Sequence, residues 1–231
     1  MHITKRTVRP SNHRWVRRRL FAWGRAHYRD FPWRRDRDPF RNLVTEILLK
    51  QTRAEGVQRV RTELLTKYRS AVSLANASVP EIEQVIASLG FGKQRSVQLQ
   101  ALGRALQHQP IPQGQDKLAT LPGIGPYAAA ATSCFAFGRR EIALDVNVAR
   151  IIGRIYGVEL ERGELRKNSD VLRLGRSLID GARPRDLNWA LLDLGALVCR
   201  PKPKCHVCPL ADKCRYARRN YNVVGAVELS T

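Results

Sequence analysis

Leu121-Pro122-Gly123-Ile124-Gly125-Pro126-Tyr127 is the most informative segment of this 231-residue chain for predicting its fold. Its Gly-x-Gly centre lets the backbone adopt positive φ and carries no side chains, so backbone amides can approach an anion closely. Pro126 favours the first position of a following helix, whose free N–H groups attract negative charge. A Gly-x-Gly turn alone is a weak signal, but between a Leu-Pro pair and an alanine-rich helix it predicts a helix–hairpin–helix motif. Gly123, Ile124 and Gly125 are therefore candidate phosphate-binding residues, with Ile124 packed inward.

The sequence on both sides of this hairpin is patterned for helices. Asp38-Pro39 supplies an N-cap followed by proline at the first helical position, and apolar residues then recur at three- and four-residue steps from Phe40 to Leu48. A basic first helix is expected to begin near Ser11–Asn12. Further helices are predicted at about 55–69, 78–89, 93–108, 115–120, 126–137, 146–157, 168–180 and 185–198. Strand alternation is absent from the sequence, so an all-α fold is predicted.

The charge of the chain indicates its partner. Its 41 Lys and Arg against 20 Asp and Glu give a net charge of +21, and 43% hydrophobic residues indicate a globular protein. A field of this sign and size attracts a polyanion, usually nucleic acid, so the hairpin is expected to bind DNA phosphates without reading the base sequence. An architectural or ribosomal protein is the alternative, although such proteins seldom need a cysteine cluster. No apolar run reaches the roughly 18 residues that span a bilayer, and no membrane partner is predicted.

Four cysteines, Cys199, Cys205, Cys208 and Cys214, lie within sixteen residues of a Lys/Pro/Arg-rich segment without hydrophobic periodicity. Such a segment buries too little apolar surface to offset the entropy of ordering it, so a metal centre or covalent links must hold it. The candidates are a [4Fe–4S] cluster, a zinc ion and unligated thiols. The spacing favours the cluster, because zinc sites usually show two close cysteine pairs. A fifth cysteine, Cys134, and the lack of a secretory signal argue against disulfides.

Two carboxylates are candidates for catalysis. Asp145 stands just before a predicted helix, where an N-cap is the simplest interpretation. An ionised carboxylate beside an apolar cleft also stabilises the positive charge that develops at a sugar anomeric carbon, and the two roles are compatible. For Glu46, spacing alone favours a solvent-facing glutamate paired with Lys50. The functional alternative is a carboxyl group of raised pKa that protonates or hydrogen-bonds a departing base.

These motifs occur in order with two others, Phe31-Pro32-Trp33-Arg34 and Thr45-Glu46-Ile47-Leu48-Leu49-Lys50-Gln51-Thr52. Together they resemble the helix–hairpin–helix DNA glycosylase superfamily, which includes endonuclease III, adenine-DNA glycosylase and the mismatch thymine glycosylases. The resemblance extends from about Trp15 to Cys214. It implies a two-lobed all-α fold in which DNA crosses the cleft and the target base is flipped into it. The implied parts are a basic N-terminal helix and connector that pack with the C-terminal lobe (1–37), a central helical barrel with the hairpin motif at about 115–137 (38–145), a C-terminal helical lobe with the cysteine loop (146–214) and a tail (215–231).

The resemblance also implies roles for individual residues. Asp145 falls on the catalytic aspartate of the family, and Glu46 and Tyr127 complete the predicted catalytic set. Bifunctional relatives have a nucleophilic lysine where this chain has Tyr127. Without that amine no Schiff base forms, so a glycosylase without strong lyase activity is indicated. The resemblance assigns further DNA contacts to three residues after the predicted helix of Glu46, namely Lys50, Gln51 and Arg53.

The same resemblance favours a [4Fe–4S] cluster as the cofactor, with all four clustered cysteines as ligands. One departure concerns the first of them. Five residues separate Cys199 from Cys205, whereas relatives usually have one more, so this loop has to be tighter.

The substrate implied by the resemblance is double-stranded DNA with a mispaired or damaged base. Two features favour thymine or uracil opposite guanine: the chain ends soon after the cysteines, and Val146 follows Asp145 where adenine enzymes usually carry glycine. The alternatives are an adenine-DNA glycosylase acting opposite guanine or 8-oxoguanine, and a non-catalytic DNA-binding or damage-sensing protein. A monomer in the cytoplasm of a prokaryote, associated with the nucleoid, is expected.

Overall fold

The computed structural model describes residues 12–159 and 168–221, and within these ranges the chain forms helices, turns and loops without a β-strand. The predicted all-α class is confirmed. The described residues contain twelve α-helices: α1 (His13–Ala26), α2 (Pro39–Leu49), α3 (Ala54–Lys67), α4 (Ala71–Asn76), α5 (Val79–Ile86), α6 (Gly92–Leu106), α7 (Gln115–Leu118), α8 (Pro126–Phe135), α9 (Val146–Tyr156), α10 (Ser169–Ile179), α11 (Pro184–Leu197) and α12 (Arg215–Asn220). Among them, none is both long and apolar enough to cross a membrane.

The chain divides into two compact units. The internal unit is Asp30–Ala143, and the terminal unit combines Met1–Arg29 with Leu144–Thr231. The predicted lobe boundaries after residues 37 and 145 stay predictions. The ends of the predicted N-terminal and tail segments, residues 1–11 and 222–231, lie outside the described residues.

Helix α2 lies in the core of the internal unit. Its N-terminus is capped by Asp38, whose side chain accepts a hydrogen bond from the backbone N–H of Arg41 at 2.9 Å. Every residue from Asn42 to Leu48 is buried, and α2 packs against α3, α6 and α8. A helix covered around most of its circumference is rigidly held, so the side chains it carries are positioned by packing.

A partly buried ion network fixes the first turns of α2. The Asp36 carboxylate accepts hydrogen bonds from Arg41 at 2.6 Å and from Arg61. Arg61 also donates from Nε to the hydroxyl of Thr45 at 2.7 Å. Burial by itself would raise the pKa of Asp36, but the hydrogen bonds from the two arginines lower it below its ordinary value. The network therefore anchors α2 one residue before Glu46.

The terminal unit is organised around α9 and α11. Helix α1 packs on α10 and α11, and α9 contacts α10, α11 and α12. Buried Asp193 on α11 forms an ion pair with Arg29 at 2.6 Å, which ties α11 to the segment after α1. Because α9 is packed against three other helices, the position of its N-cap residue, Asp145, is fixed by packing.

Candidate functional site

The hairpin between α7 and α8 has the geometry that its glycines predict. Gly123 adopts φ of +73°, and a Cβ atom there would lie 3.0 Å from the Cβ atom of Gln98, so glycine is strongly favoured. Ile124 is buried in the apolar core of the internal unit, as predicted. Gly125 is the N-cap of α8, and a Cβ atom there would project into open space. The hairpin thus presents bare backbone at a helix N-terminus, which suits a phosphate group.

Lys50 supports this hairpin from within the internal unit. Its ammonium group donates a hydrogen bond to the carbonyl oxygen of Gly123. Burial lowers the pKa of Lys50, the positive charge of Arg95 lowers it further, and the charge of Glu46 opposes both effects. The lysine therefore links the end of α2 to the hairpin. Its own contact with DNA stays a prediction, as does that of exposed Arg53.

A buried arginine on α6 joins two turns close to the hairpin. Arg95 is 3% exposed and donates to the carbonyl oxygens of Leu89 at 3.0 Å and Gly90 at 2.9 Å. Its second terminal nitrogen donates to the carbonyl oxygen of Lys50 and to the hydroxyl of Thr52. One side chain therefore fixes the turn after α2 relative to the turn before α6.

Each of these turns exposes one residue in the left-handed backbone conformation. Gln51 has φ of 52° and Phe91 has φ of 51°. This conformation costs a non-glycine residue roughly 1–2 kcal/mol, so the surrounding contacts must enforce it. Phe91 is 62% exposed, and an aromatic ring held outward near the predicted phosphate-binding hairpin suits insertion between base pairs. Gln51 is among the DNA contacts predicted from the sequence and Phe91 is not, although an aromatic residue between two glycines, in Gly90-Phe91-Gly92, is a usable signal.

Glu46 is buried on α2, with 6% of its surface exposed. The interpretation of a solvent-facing glutamate is wrong, because other helices cover the flank of the apolar stripe as well as the stripe itself. The expected relation to Lys50 is retained as an electrostatic effect, since Glu46 raises the pKa of that lysine. A buried carboxyl group on a rigidly packed helix is a candidate for proton exchange with a bound base.

Tyr127 occupies the second position of α8 and is half-buried against the core of the internal unit. Trp33, from the Phe-Pro-Trp-Arg motif, packs against the same core and stacks on Phe31 with ring centroids 4.6 Å apart. The phenol of Tyr127 supplies a hydroxyl group and a ring but no amine. No imine with a sugar can form through this side chain.

Asp145 is the N-cap of α9, as its simplest interpretation predicts. One carboxylate oxygen accepts from the backbone N–H groups of Asn147 at 2.9 Å and Val148 at 2.7 Å. The other accepts from the side-chain amide of Asn147 at 2.7 Å. Three N–H donors therefore hold the half-buried carboxylate in one orientation. The next residue, Val146, is 43% exposed.

A chain of hydrogen bonds joins Asp145 to the first clustered cysteine. The Asn147 side chain, which donates to Asp145, accepts from Arg150 at 2.9 Å. Arg150 also donates to the backbone carbonyl of Cys199 at 2.8 and 3.0 Å. The orientation of the carboxylate is thereby coupled to the position of the backbone at Cys199.

The four clustered cysteines lie in the terminal unit and form no disulfide bonds. Cys199, Cys205 and Cys214 are buried, and half-buried Cys208 packs against an apolar cluster that contains Cys205 and Cys214. Burial raises the pKa of the Cys208 thiol to about 12, and the charges of the other three cysteines contribute to the increase. Four thiols close enough to affect one another electrostatically fit a cationic metal centre, which stabilises thiolates. Within the described ranges, no group of three or more His, Cys, Asp or Glu side chains is arranged to hold a single metal ion.

The predicted site residues are distributed over both units. The internal unit carries Glu46, Tyr127 and the predicted DNA contacts, and the terminal unit carries Asp145 and the four clustered cysteines.

Comparisons with known proteins are consistent over most of the chain. Residues 44–172 match the family described as HhH-GPD superfamily base excision DNA repair protein. The thymine/uracil-DNA glycosylase of Methanothermobacter thermautotrophicus is 36% identical over 193 residues, which cover 81% of this chain and 86% of that protein. The adenine DNA glycosylase of Homo sapiens is 33% identical over 213 residues, which cover 87% of this chain and 39% of that protein.

The fold agrees with these sequence relationships. The structure of a thermostable thymine-DNA glycosylase matches with a TM-score of 0.83 and 31% identity, over 90% of this chain and 98% of that one. The family match, a relative matched over 86% of its length and the hairpin at Gly123–Gly125 lead to one assignment. The chain belongs to the HhH-GPD superfamily of base excision DNA repair proteins.

Proposed function

We propose that this chain is a monofunctional DNA glycosylase that flips a mispaired base out of duplex DNA and hydrolyses its N-glycosidic bond. The proposed substrate is thymine or uracil opposite guanine. The observation that carries this choice is the 36% identity, over 86% of its length, to a protein named thymine/uracil-DNA glycosylase. Adenine is the second candidate base, because an adenine DNA glycosylase is 33% identical over 87% of this chain.

Asp145 supplies the charge that the reaction requires. As the bond from the anomeric carbon to the base breaks, its electron pair leaves with the base and positive charge develops on the sugar. A fixed carboxylate stabilises this charge in the transition state, and a water molecule then adds to the carbon and loses a proton. The three N–H donors to Asp145 keep the carboxylate from having to reorient during the reaction.

Glu46 acts on the departing base in this proposal. Its burial on rigid α2 suits a carboxyl group that donates a hydrogen bond or a proton. Adenine leaves best after protonation of a ring nitrogen, whereas thymine departs as a stabilised anion. The Glu46→Gln substitution should therefore slow the release of adenine more than the release of thymine.

We also propose that Cys199, Cys205, Cys208 and Cys214 bind a [4Fe–4S] cluster. Such a cluster binds each thiolate to a different iron, so the four sulfur atoms need not converge on one point. When bound, it would supply cross-links between segments that have little apolar surface of their own. Loss of these links should displace the backbone at Cys199 and, through Arg150 and Asn147, the carboxylate of Asp145. We expect the protein to act as a monomer on nucleoid DNA in the cytoplasm.

The proposed function is tested with a panel of duplexes that contain G·T, G·U, A·G, A·8-oxoguanine or only Watson–Crick pairs. The released base is identified by chromatography, and strand cleavage is scored with and without alkali. We expect thymine and uracil to be released opposite guanine and nicks to appear only after alkali. Release of adenine alone would select the second candidate. Strand cleavage without alkali, together with borohydride trapping of the protein on DNA, would refute the monofunctional assignment.

A further inference from the structure

The spacer between the first two cysteines is the least expected part of the cysteine loop. It consists of the five residues Arg200-Pro201-Lys202-Pro203-Lys204, one fewer than the resemblance predicts. Its last residue is tied to the residue before Cys199 by a hydrogen bond from the backbone N–H of Lys204 to the carbonyl of Val198 at 3.0 Å. A spacer this short leaves Cys199 little freedom of position. Contacts that fix the path of the spacer backbone therefore also fix this cysteine.

One side chain on α9 makes those contacts. Arg154 donates from Nη1 to the carbonyl oxygen of Arg200 at 2.6 Å and from Nη2 to that of Pro201 at 2.9 Å. The same Nη1 atom lies 3.4 Å from Sγ of Cys199, within hydrogen-bond distance of sulfur. A single guanidinium group thus binds the sulfur and two successive carbonyls of the spacer. These contacts use two nitrogen atoms of one rigid planar fork, whereas the three donors of a lysine ammonium share a single nitrogen.

The guanidinium group is itself held in place. Its Cζ atom lies 4.4 Å from the ring centroid of Tyr216, which provides a cation–π contact. The main chain of Arg154 reaches the last cysteine of the set, with its carbonyl oxygen 3.4 Å from Sγ of Cys214. Arg154 therefore contacts both ends of the cysteine segment from one position on α9.

We propose that Arg154 is the positioning residue for the first cluster ligand, an inference that rests on the proposed [4Fe–4S] cofactor. It fixes the short spacer so that Cys199 can serve as a ligand. Its N–H group on the Cys199 sulfur also withdraws electron density from that thiolate. The reduced cluster carries one more negative charge than the oxidised cluster, and a positively charged hydrogen-bond donor stabilises it more. Arg154 therefore raises the reduction potential of the cluster.

The test compares Arg154→Gln and Arg154→Lys with Arg218→Gln, which removes one exposed positive charge from nearby α12. The number of irons per chain and the absorbance at ~400 nm measure how much cluster each variant contains. The rate of cleavage by trypsin measures how well the spacer backbone is held in place, whether or not metal is bound. Lys204–Cys205 is its cleavable bond there, because proline follows both Arg200 and Lys202.

We expect Arg154→Gln to lose at least half of the iron and to be cut at Lys204–Cys205 about tenfold faster, the effect of losing hydrogen bonds from a charged group. Arg154→Lys should lose iron similarly, and its remaining cluster should have a more negative potential. Arg218→Gln should match the unmodified protein in every readout. Full iron content in Arg154→Lys would show that charge alone suffices and would overturn the inference.

The proposed cofactor and the role of Arg154 fail in different ways. An iron-free unmodified protein purified under low oxygen would overturn the cofactor, and the ligand role of Arg154 with it. If the unmodified protein contains about four irons, as one such cluster requires, and Arg154→Gln equals Arg218→Gln in iron and cleavage, only the Arg154 inference is overturned.

Discussion

Replacing Asp145 separates its charge from its function as a helix cap. The Asp145→Asn substitution keeps an oxygen that can accept from the two backbone N–H groups of α9, and asparagine caps helices as well as aspartate does. It removes the negative charge at the helix N-terminus, worth about 0.3–1 kcal/mol. It also turns an amide donor toward the donating Asn147 side chain, which forfeits a hydrogen bond of about 0.5–1.5 kcal/mol. The free energy of unfolding should fall by about 1–2.5 kcal/mol, and each kcal/mol lowers Tm by roughly 2–4 °C in a protein of this size.

Asn168→Ala provides the matched control in the same unit. The Asn168 side chain caps α10 by accepting from the backbone N–H groups of Asp170 at 3.0 Å and Val171 at 3.1 Å. Its loss should cost ~1 kcal/mol, as cap removal usually does. The two variants therefore have overlapping stability losses, but only Asp145→Asn changes the proposed catalytic charge.

The assay is single-turnover release of thymine from a G·T duplex at a temperature where both variants are folded, with DNA affinity measured in parallel. Asp145→Asn should be slower by about 100-fold or more, the scale of losing one preorganised electrostatic contact to a transition state. Its DNA affinity should be unchanged, because only the transition state needs the charge. Asn168→Ala should release thymine at the rate of the unmodified protein. The catalytic role is refuted if Asp145→Asn retains that rate, and instability is the better explanation if Asn168→Ala is equally impaired.

Four further substitutions test the internal unit. Gly125→Ala should weaken DNA binding without changing Tm, because its methyl group projects into open space. Gly123→Ala, at φ of +73°, should weaken DNA binding and also lower Tm. A binding curve and a thermal melt of each variant distinguish the two outcomes. In both glycine variants the affinity for DNA should fall steeply between low and physiological salt concentration. Binding that does not depend on salt would contradict the interpretation that the protein contacts phosphates. Tyr127→Lys should gain strand cleavage and borohydride trapping, since it restores an amine; a variant that traps no DNA would show that position 127 does not reach the sugar. Phe91→Ala should melt at or above the Tm of the unmodified protein, since it removes an exposed ring, yet release thymine more slowly; unchanged release would remove Phe91 from the DNA-facing surface.

The sequence predicted the features whose causes are local. The hairpin follows from glycine and proline at fixed positions, and α2 follows from a cap, a proline and an apolar period. Short α4 was missed because six residues are too few to show a period; it is ordered by the Ser70 cap, which accepts from the backbone N–H of Ser73 at 3.2 Å. Local rules predict best where the responsible atoms are neighbours in sequence.

The errors concern contacts between distant parts of the chain. The burial of Glu46 depends on three helices that surround α2, and the spacing to Lys50 carries no information about them. The outward ring of Phe91 depends on Arg95, which reaches back to the carbonyl oxygen of Lys50, 45 residues earlier. Charge and helical period alone predict that Glu46 is solvent-exposed, and they assign no role to Phe91. The packed tertiary structure shows that Glu46 is buried and that the ring of Phe91 is exposed.

Helix α9 connects the proposed chemistry to the proposed cofactor. It is capped by Asp145 and carries Arg150 and Arg154, four residues apart, both of which bind the backbone around Cys199. Helical neighbours at this spacing lie on one face, so a single rigid element orients the carboxylate at one end and binds the cysteine loop along its side. The hairpin, in contrast, belongs to the internal unit, which has a core of its own. Damage to the cysteine loop should therefore reduce base release through Asp145 while phosphate binding at Gly123 and Gly125 persists, so catalysis and non-specific DNA affinity should respond differently to loss of iron.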